Sequence, residues 1–315
     1  MASPNLTETL TATLRNYSQE IADNVINHNA LLTWLSKNGS MKSADGGATI
    51  DEQLQYQENS NGGSFSGFDV LPTSAVEVFS AASFDWKEYA VPIMMSGREM
   101  GINSGKSKIF DLWKGRIDNA KATMANLISE GLASDGTGNG SKDITGLQAA
   151  VPEANTTGTY GSIDSATWTF WRSQKVDTAA TITTSTLPQA MNDLYVACTR
   201  GIFVPNLIIG GTSFYSILET TLMAIQRFTS EATAKYGFPT LKYKGADVVM
   251  DNNVSTHRAY FLNTRHIKWR PHKDYNMVPM DERSPVNQNA KGTILYFMGN
   301  LTTSVRRDQG LLVGD

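Results

Sequence analysis

Four histidines, one cysteine and two overlapping glycine-rich motifs are the features of this 315-residue sequence that could do chemistry. His28, His257, His266 and His272 supply imidazoles for general-base work, but a reaction also needs a nucleophile and a charge stabiliser held nearby. None of the four stands in a motif that brings those together. The sequence holds no HExxH, no zinc-type Cys/His spacing and no G-x-S-x-G elbow. Cys198 follows the apolar run Leu194, Tyr195, Val196 and Ala197 and has no second cysteine to pair with, so no disulfide forms within the chain. Asp135-Gly136-Thr137-Gly138-Asn139-Gly140 opens like a calcium loop, yet Thr137 stands at the third ligand position and Gly146 at the twelfth, where a bidentate glutamate belongs. The same glycines run into Ser141-Lys142, but Asp143 replaces the hydroxyl residue of a phosphate-binding loop and a helix precedes where a strand should. These residues read as a connector. The chain is expected to carry no catalytic residue, cofactor or metal, and not to be an enzyme.

The charged residues are distributed more informatively. In His266-Ile267-Lys268-Trp269-Arg270 the basic side chains share one face of a strand and the apolar ones the other, a face that suits phosphates or a charged strand edge. From Ser43 to Gly105 nine carboxylates (Asp45, Asp51, Glu52, Glu58, Asp69, Glu77, Asp85, Glu88, Glu99) face only Lys87 and Arg98, whereas from Leu241 onward eleven basic residues face seven acidic ones. The net charge of −3 and a pI near 5.9 exclude a general nucleic-acid binder, which needs an excess of cations to displace counterions. Contact with nucleic acid should be weak and local.

These residues sit in elements of contrasting texture. Ser3-Pro4 followed by Leu6, Leu10, Leu14, Tyr17, Ile21 and Val25 predicts an amphipathic N-terminal helix, and Leu31, Leu32 and Leu35 a shorter one ending at Asn38-Gly39. Between Ser43 and Gly105, β-formers mixed with glycine, serine and acid predict two long arms of a hairpin with its tip at Asn59 to Ser64, where Asn-Gly and Gly-Gly tolerate positive φ. A lone two-stranded ribbon is marginally stable, so this one should lie on foreign surface.

Ile109, Trp113, Ile117, Ala120, Met124, Leu127, Ile128 and Leu132 then fall on one face of a helix from Ser107 to Ser134, ~40 Å long at ~1.5 Å per residue. Thr186 and Gln189 form a capping-box pattern before the helical set Leu187, Met191, Leu194 and Cys198. The strand Leu207-Ile208-Ile209 leads through Gly210-Gly211 into a second helix capped by Thr212 or Ser213, and strands follow at Val248 to Met250, Tyr260 to Leu262, His266 to Arg270 and Ile294 to Phe297. No stretch resembles a signal peptide and none is apolar enough to cross a bilayer, so a chain made in a cytoplasm and away from membranes is expected.

The order of these elements resembles that of the major capsid proteins of tailed phages with the Hong Kong 97-like fold. The resemblance rests on the arm at Asn5 to Lys37, the extended loop at Gly46 to Asn103 and the spine helix at Lys108 to Ala133. It also rests on the closing wording Tyr243-Lys244-Gly245-Ala246-Asp247-Val248-Val249, Ala259 to Thr264, and Gly299-Asn300-Leu301 before Arg306-Arg307. It implies an α+β fold divided into an N-terminal arm (1–42), an extended β-hairpin loop (43–105), a peripheral domain with the spine helix (106–185), an axial domain (186–240) and a closing β segment, mainly peripheral (241–315).

The function implied is self-assembly into pentamers and hexamers of an icosahedral shell around double-stranded DNA, in a virion built in a bacterial cytoplasm. A portal, and a separate scaffolding or decoration protein, would be the other partners. The alternatives are an encapsulin-like compartment and another virion structural protein. Because the family's extended loop lies across a neighbour, the subunit interface is expected to include Asn61, Gly62 and Gly63 of the tip and Phe65 next to it. Glu52 and Glu58 are expected to be drawn to Lys268 and Arg270 of the next copy.

Overall fold

A computed structural model describes residues 30–102, 106–178, 181–225, 241–281, 283–284 and 288–314. The N-terminal helix predicted from Leu6 to Val25, His28, and the side chains of Ile109 and Trp113 lie outside the described residues.

The strands are β1 (Ile50–Gln55), β2 (Phe79–Phe84), β3 (Lys87–Ser96), β4 (Thr159–Tyr160), β5 (Ile163–Asp164), β6 (Gln174–Asp177), β7 (Leu207–Gly210), β8 (Leu241–Tyr243), β9 (Ala246–Met250), β10 (Arg258–Leu262), β11 (Ile267–Pro279), β12 (Ala290–Thr303) and β13 (Gly310–Val313). They form a mixed six-stranded sheet ordered β6-β13-β10-β7-β9-β8, an antiparallel three-stranded sheet ordered β11-β12-β3, and the two hairpins β1-β2 and β4-β5.

Strand alternation divides the core in two. From the six-stranded sheet, Leu207, Ile209, Val249, Tyr260, Leu262, Leu311 and Val313 join an apolar cluster that also takes in Ile117, Met124, Ile128 and Leu132 of the long helix. The intervening residues Ile208, Val248, Phe261 and Leu312 join a second cluster with Leu187, Met191 and Leu194 of one helix and Phe214 and Leu218 of another. The long helix spans Lys106–Ala133 and packs on β3. Ahead of β1, the helix Ala30–Lys37 buries Leu31, Leu32 and Leu35, and the segment after it lies parallel to β11, with Lys42 N–H donating to the Trp269 carbonyl at 3.0 Å.

Three local expectations are corrected. The hairpin arms are six residues each, paired from Ile50 with Phe84 to Gln55 with Phe79. Beyond Tyr56, whose N–H donates to Val78, no strand forms before Phe79: Pro72 cannot donate to a ladder, and residues 57–76 lack apolar alternation. Because the two strands are joined by a wide loop and not by a two-residue turn, Gly62 and Gly63 do not take positive φ; Gly67 does, at +57°. The Thr186 hydroxyl accepts from the Thr183 N–H at 3.0 Å, and Gln189 donates to Asp193 at 2.7 Å, so the capping box does not form. Leu127 is half-buried, and the buried stripe of the long helix is Ile117, Ala120, Met124, Ile128 and Leu132.

Candidate functional site

The three described histidines occupy separate structural environments. His272 sits between the rings of Trp86 and Tyr275, and its Nδ1 accepts the Asp274 N–H at 3.1 Å. His257 Nδ1 is buried without a hydrogen-bond partner. His266 lies 3.4 Å from the Ser304 hydroxyl and 3.6 Å from Asp308, an order reminiscent of a triad but with both contacts longer than the ~2.6–3.2 Å that proton transfer requires. Among the described residues, no group of three or more His, Cys, Asp or Glu side chains could hold a metal ion. The buried Cys198 thiol is pushed well above its ordinary range, first by desolvation and then by Asp308, so it is not a thiolate nucleophile.

The structure does bring together three of the charged residues singled out in the sequence. Glu52, on β1, points inward with its side chain 4 % exposed. Lys268 donates to its Oε2 at 2.8 Å, Arg270 to its Oε1 at 2.8 Å, and the Thr302 hydroxyl to Oε1 at 2.9 Å. Within a single chain, Glu52 of the acidic segment thus meets Lys268 and Arg270 of the basic strand. The reason is alternation: Lys268 and Arg270 share the face of β11 over which the inward residues of β1 lie, and Thr302 stands opposite Lys268 on β12. Burial raises the Glu52 pKa, but the hydrogen bonds of Lys268 and Arg270, with their charges, outweigh it and leave the carboxyl below its usual value.

The other expected interface residues lie in the wide loop between Gln55 and Phe79. Glu58, Gly62, Gly63 and Phe65 are exposed and Asn61 half-buried, its side chain donating to the Ser74 carbonyl at 2.5 Å. The sequence reading missed three neighbours: beside Phe65 at 47 % exposure stand Phe68 at 106 %, Val70 at 92 % and Leu71 at 55 %. Four large apolar side chains within seven residues were the available signal, hidden by Ser66, Gly67 and Asp69 between them. Large apolar side chains exposed this close together in sequence suit a surface that another molecule covers.

The loop stands on a core of helix and sheet whose element order and lengths can be compared with known proteins. No protein-family model and no curated protein matches the chain. Solved structures do. The chain is similar to the cyanophage A-1(L) capsid subunit at 15 % identity and a TM-score of 0.63, covering 87 % of this chain and 90 % of that one. It is similar to the capsid of Myoviridae phage XM1 at 11 % identity and a TM-score of 0.57, covering 89 % and 92 %. The chain has the fold of a tailed-phage capsid subunit. This Hong Kong 97-like α+β fold also matches an encapsulin of Synechococcus elongatus, at 9 % identity and a TM-score of 0.59 over 89 % of this chain and 86 % of that one.

Proposed function

We propose that the chain is a major capsid protein, assembling into pentamers and hexamers of an icosahedral shell that encloses phage DNA, with no enzymatic role. The supporting observation is the apolar loop: Phe65, Phe68, Val70 and Leu71 gain nothing in an isolated subunit, whereas each would bury most of its side chain against a neighbour. The Glu52 cluster holds the foot of this loop to its own subunit and leaves the far part free to reach another. The expected division into arm, loop, peripheral domain, axial domain and closing segment is carried with the proposal. So are the portal, a separate scaffolding or decoration partner, weak contact with DNA, and assembly in a bacterial cytoplasm.

Negative-stain microscopy of the purified protein tests the reading, with closed shells as the expected result. Replacing residues 57–77 by Asn-Gly retains the β1-β2 ladder and should abolish shells while leaving far-ultraviolet circular dichroism and thermal midpoint close to wild type. Stable monomers from the wild-type chain under all assembly conditions would overturn the proposal. The encapsulin match favours one second reading, a protein-filled compartment. Nucleic acid or protein inside shells purified from the native source separates the two.

A further inference from the structure

Three turns meet at the His266 imidazole. Arg200 to Val204 follows the helix Leu187–Cys198, Asn263 to His266 joins β10 to β11, and Ser304 to Gln309 joins β12 to β13. The second and third are bound together: the His266 N–H donates to the Asn263 carbonyl at 3.1 Å, and the Ser304 N–H to the His266 carbonyl at 2.9 Å. The first turn is bonded differently. Its Arg200 and Phe203 N–H groups donate to each other's carbonyls at 2.9 Å, bonds that stay inside the turn. It meets His266 through the Phe203 ring, edge-on at 5.5 Å. Gly201, at φ +58°, and the exposed Ile202 and Val204 complete it.

Each ring nitrogen of His266 faces one polar group. Nδ1 lies 3.4 Å from the Ser304 hydroxyl and Nε2 3.6 Å from Asp308 Oδ2. A neutral imidazole carrying its proton on Nε2 suits both, because the hydroxyl can donate to Nδ1 while Nε2–H points at the carboxylate. A second proton must go to Nδ1, where it displaces the proton of the hydroxyl. The hydroxyl then turns to the His266 carbonyl, 3.5 Å away and already taken by the Ser304 N–H. The surrounding charges oppose an imidazolium as well. Lys268 and Arg265 flank it on its own element, and Arg200 and Arg307 act on Asp308 from the first and third turns. Cys198, which senses Asp308 from the helix Leu187–Cys198, stays a neutral thiol. Of these groups Asp308 alone favours the imidazolium. It is 2 % exposed, and its Oδ1 has no hydrogen-bond partner among the described residues.

We propose that the Arg200–Val204 turn is a latch that acid opens: a proton taken up by His266 draws the ring toward water and releases the Phe203 side chain, so that the turn comes away from the two it rests on. The latch is independent of the shell reading. Its direction follows from the surroundings of the ring. Burial pulls the His266 pKa below its usual value of 6.5, partly opposed by Asp308, and Lys268 and Arg265 add to the fall. The closed turn therefore binds the proton less well than an open one with a hydrated ring. Closure is fully favoured above ~6.5 and is lost as pH falls from there toward the lower value of the closed state. Burial moves Asp308 the other way, up from its usual value against the pull of His266, Arg200 and Arg307. Its protonation favours the closed turn, and a variant at His266 separates the two effects.

Hydrogen exchange of the Arg200 and Phe203 amides in the full chain, corrected for the intrinsic dependence of exchange on pH, reads the latch. Their protection should fall by about threefold or more between about pH 7.5 and pH 5.5 in the wild type, and stay constant in His266→Gln, whose side chain takes up no proton. Phe203→Ala tests the cover from the other side. It should raise the His266 titration midpoint, followed through the NMR shift of the Cε1 proton, toward ~6.5. Protection independent of pH in the wild type would overturn the proposal, as would an equal fall in His266→Gln. A rise in protection on acidification would mean that an imidazolium–Asp308 pair closes the turn, and would overturn it too. Should His266→Gln fail to fold, the Phe203→Ala midpoint decides alone: an unmoved value rejects the Phe203 ring as the cover and the latch with it.

Discussion

Arg270 holds Glu52 through two nitrogens on a single oxygen: Nη2 lies 2.7 Å and Nε 2.8 Å from Glu52 Oε1. The other carboxylate oxygen is left to Lys268, and Thr302 adds a third donor to Oε1. A buried anion is stable only when its lone pairs are taken up, and here every donor comes from the β11-β12 sheet while the acceptor comes from β1. The cluster therefore ties β1, at the foot of the loop between β1 and β2, to the β11-β12 sheet.

Replacing Glu52 by glutamine keeps the shape and removes the charge that two cations share. Breaking a buried pair by removing one partner costs ~3–5 kcal/mol. Lys268 and Arg270 keep 23 % and 18 % of their side chains exposed and can turn partly to water, so the low end, about 3 kcal/mol, is expected. Urea unfolding of the monomeric chain measures it, and a change below ~0.5 kcal/mol would show that the cluster contributes specificity without stability.

The same residue sets part of the acid response. Its folded pKa lies below the unfolded value because the hydrogen bonds and charges of Lys268 and Arg270 overcome the opposing effect of burial. Its contribution is thus complete above the unfolded pKa of ~4.3 and is lost as pH falls through the lower folded value. Glu99, held at about 2 by the Arg116 and Ser96 hydrogen bonds, titrates in a similar direction in both proteins and cancels in the comparison. The stability difference between wild type and Glu52→Gln should accordingly be constant from pH 7 to 5 and shrink below ~4.3. A difference independent of pH down to 3 would mean that the charge is not what the cluster stabilises.

The elements legible in the sequence are those specified by local periodicity. The long helix was expected from Ser107 to Ser134 and runs Lys106–Ala133, because apolar residues at three- and four-residue spacing have one solution. The alternation of Ile267 and Trp269 with Lys268 and Arg270 placed those side chains on opposite faces of β11, and Trp269 stacks on Phe297 at 5.5 Å. What is specified by distant pairing was not legible. β3 pairs with β12 across the chain, Tyr89 opposite Phe297, and no local pattern in Lys87–Ser96 names its partner. Charge totals showed that acidic and basic segments should attract; they carried no information on whether Glu52 would find Lys268 in its own chain or another.

The buried stripe of the long helix makes a paired test. Ile128 is 1 % exposed within the larger apolar cluster, while its neighbour Leu127 is half-buried at the edge of the stripe. Ile128→Ala should cost ~2–5 kcal/mol through lost burial and the cavity left behind. Leu127→Ala should cost less than half as much in the same subunit. Equal effects at the two positions, read from denaturant midpoints with unchanged slope, would place the helix in a different rotation from the one described.

The adjacent arginines near the C-terminus differ sharply in environment and supply the last prediction. Arg307 is exposed, but Arg306 is 2 % exposed and carries its guanidinium into the core without a carboxylate beside it. Its nitrogens donate instead to the carbonyls of Ala150 at 2.6 Å and Ala149 at 2.9 Å and to the Ser165 hydroxyl at 2.7 Å, and its Cζ lies 4.9 Å from the centre of the Tyr160 ring. Burial pulls its pKa down to about 10, partly opposed by Tyr160, so at neutral pH it remains a cation. One planar group thereby satisfies acceptors on two separate turns, the one ending the helix Leu147–Ala150 and the one after β5. Lysine cannot do this, since a compact ammonium on a flexible stem lacks the fork that spans carbonyls in two directions. Leucine would leave those carbonyls buried without donors, at ~1–3 kcal/mol for each. Arg306→Leu and Arg306→Lys should therefore both lower subunit stability, by ~2–4 kcal/mol, while Arg307→Ala stays within ~0.5 kcal/mol of wild type. The loss should be visible locally as well. The Trp171 indole N–H, which donates to the Tyr160 carbonyl at 2.8 Å, should exchange with solvent faster in both Arg306 variants. Full stability and unchanged indole exchange in Arg306→Lys would show that the positive charge over the Tyr160 ring, and not the forked hydrogen bonding, is what these turns require.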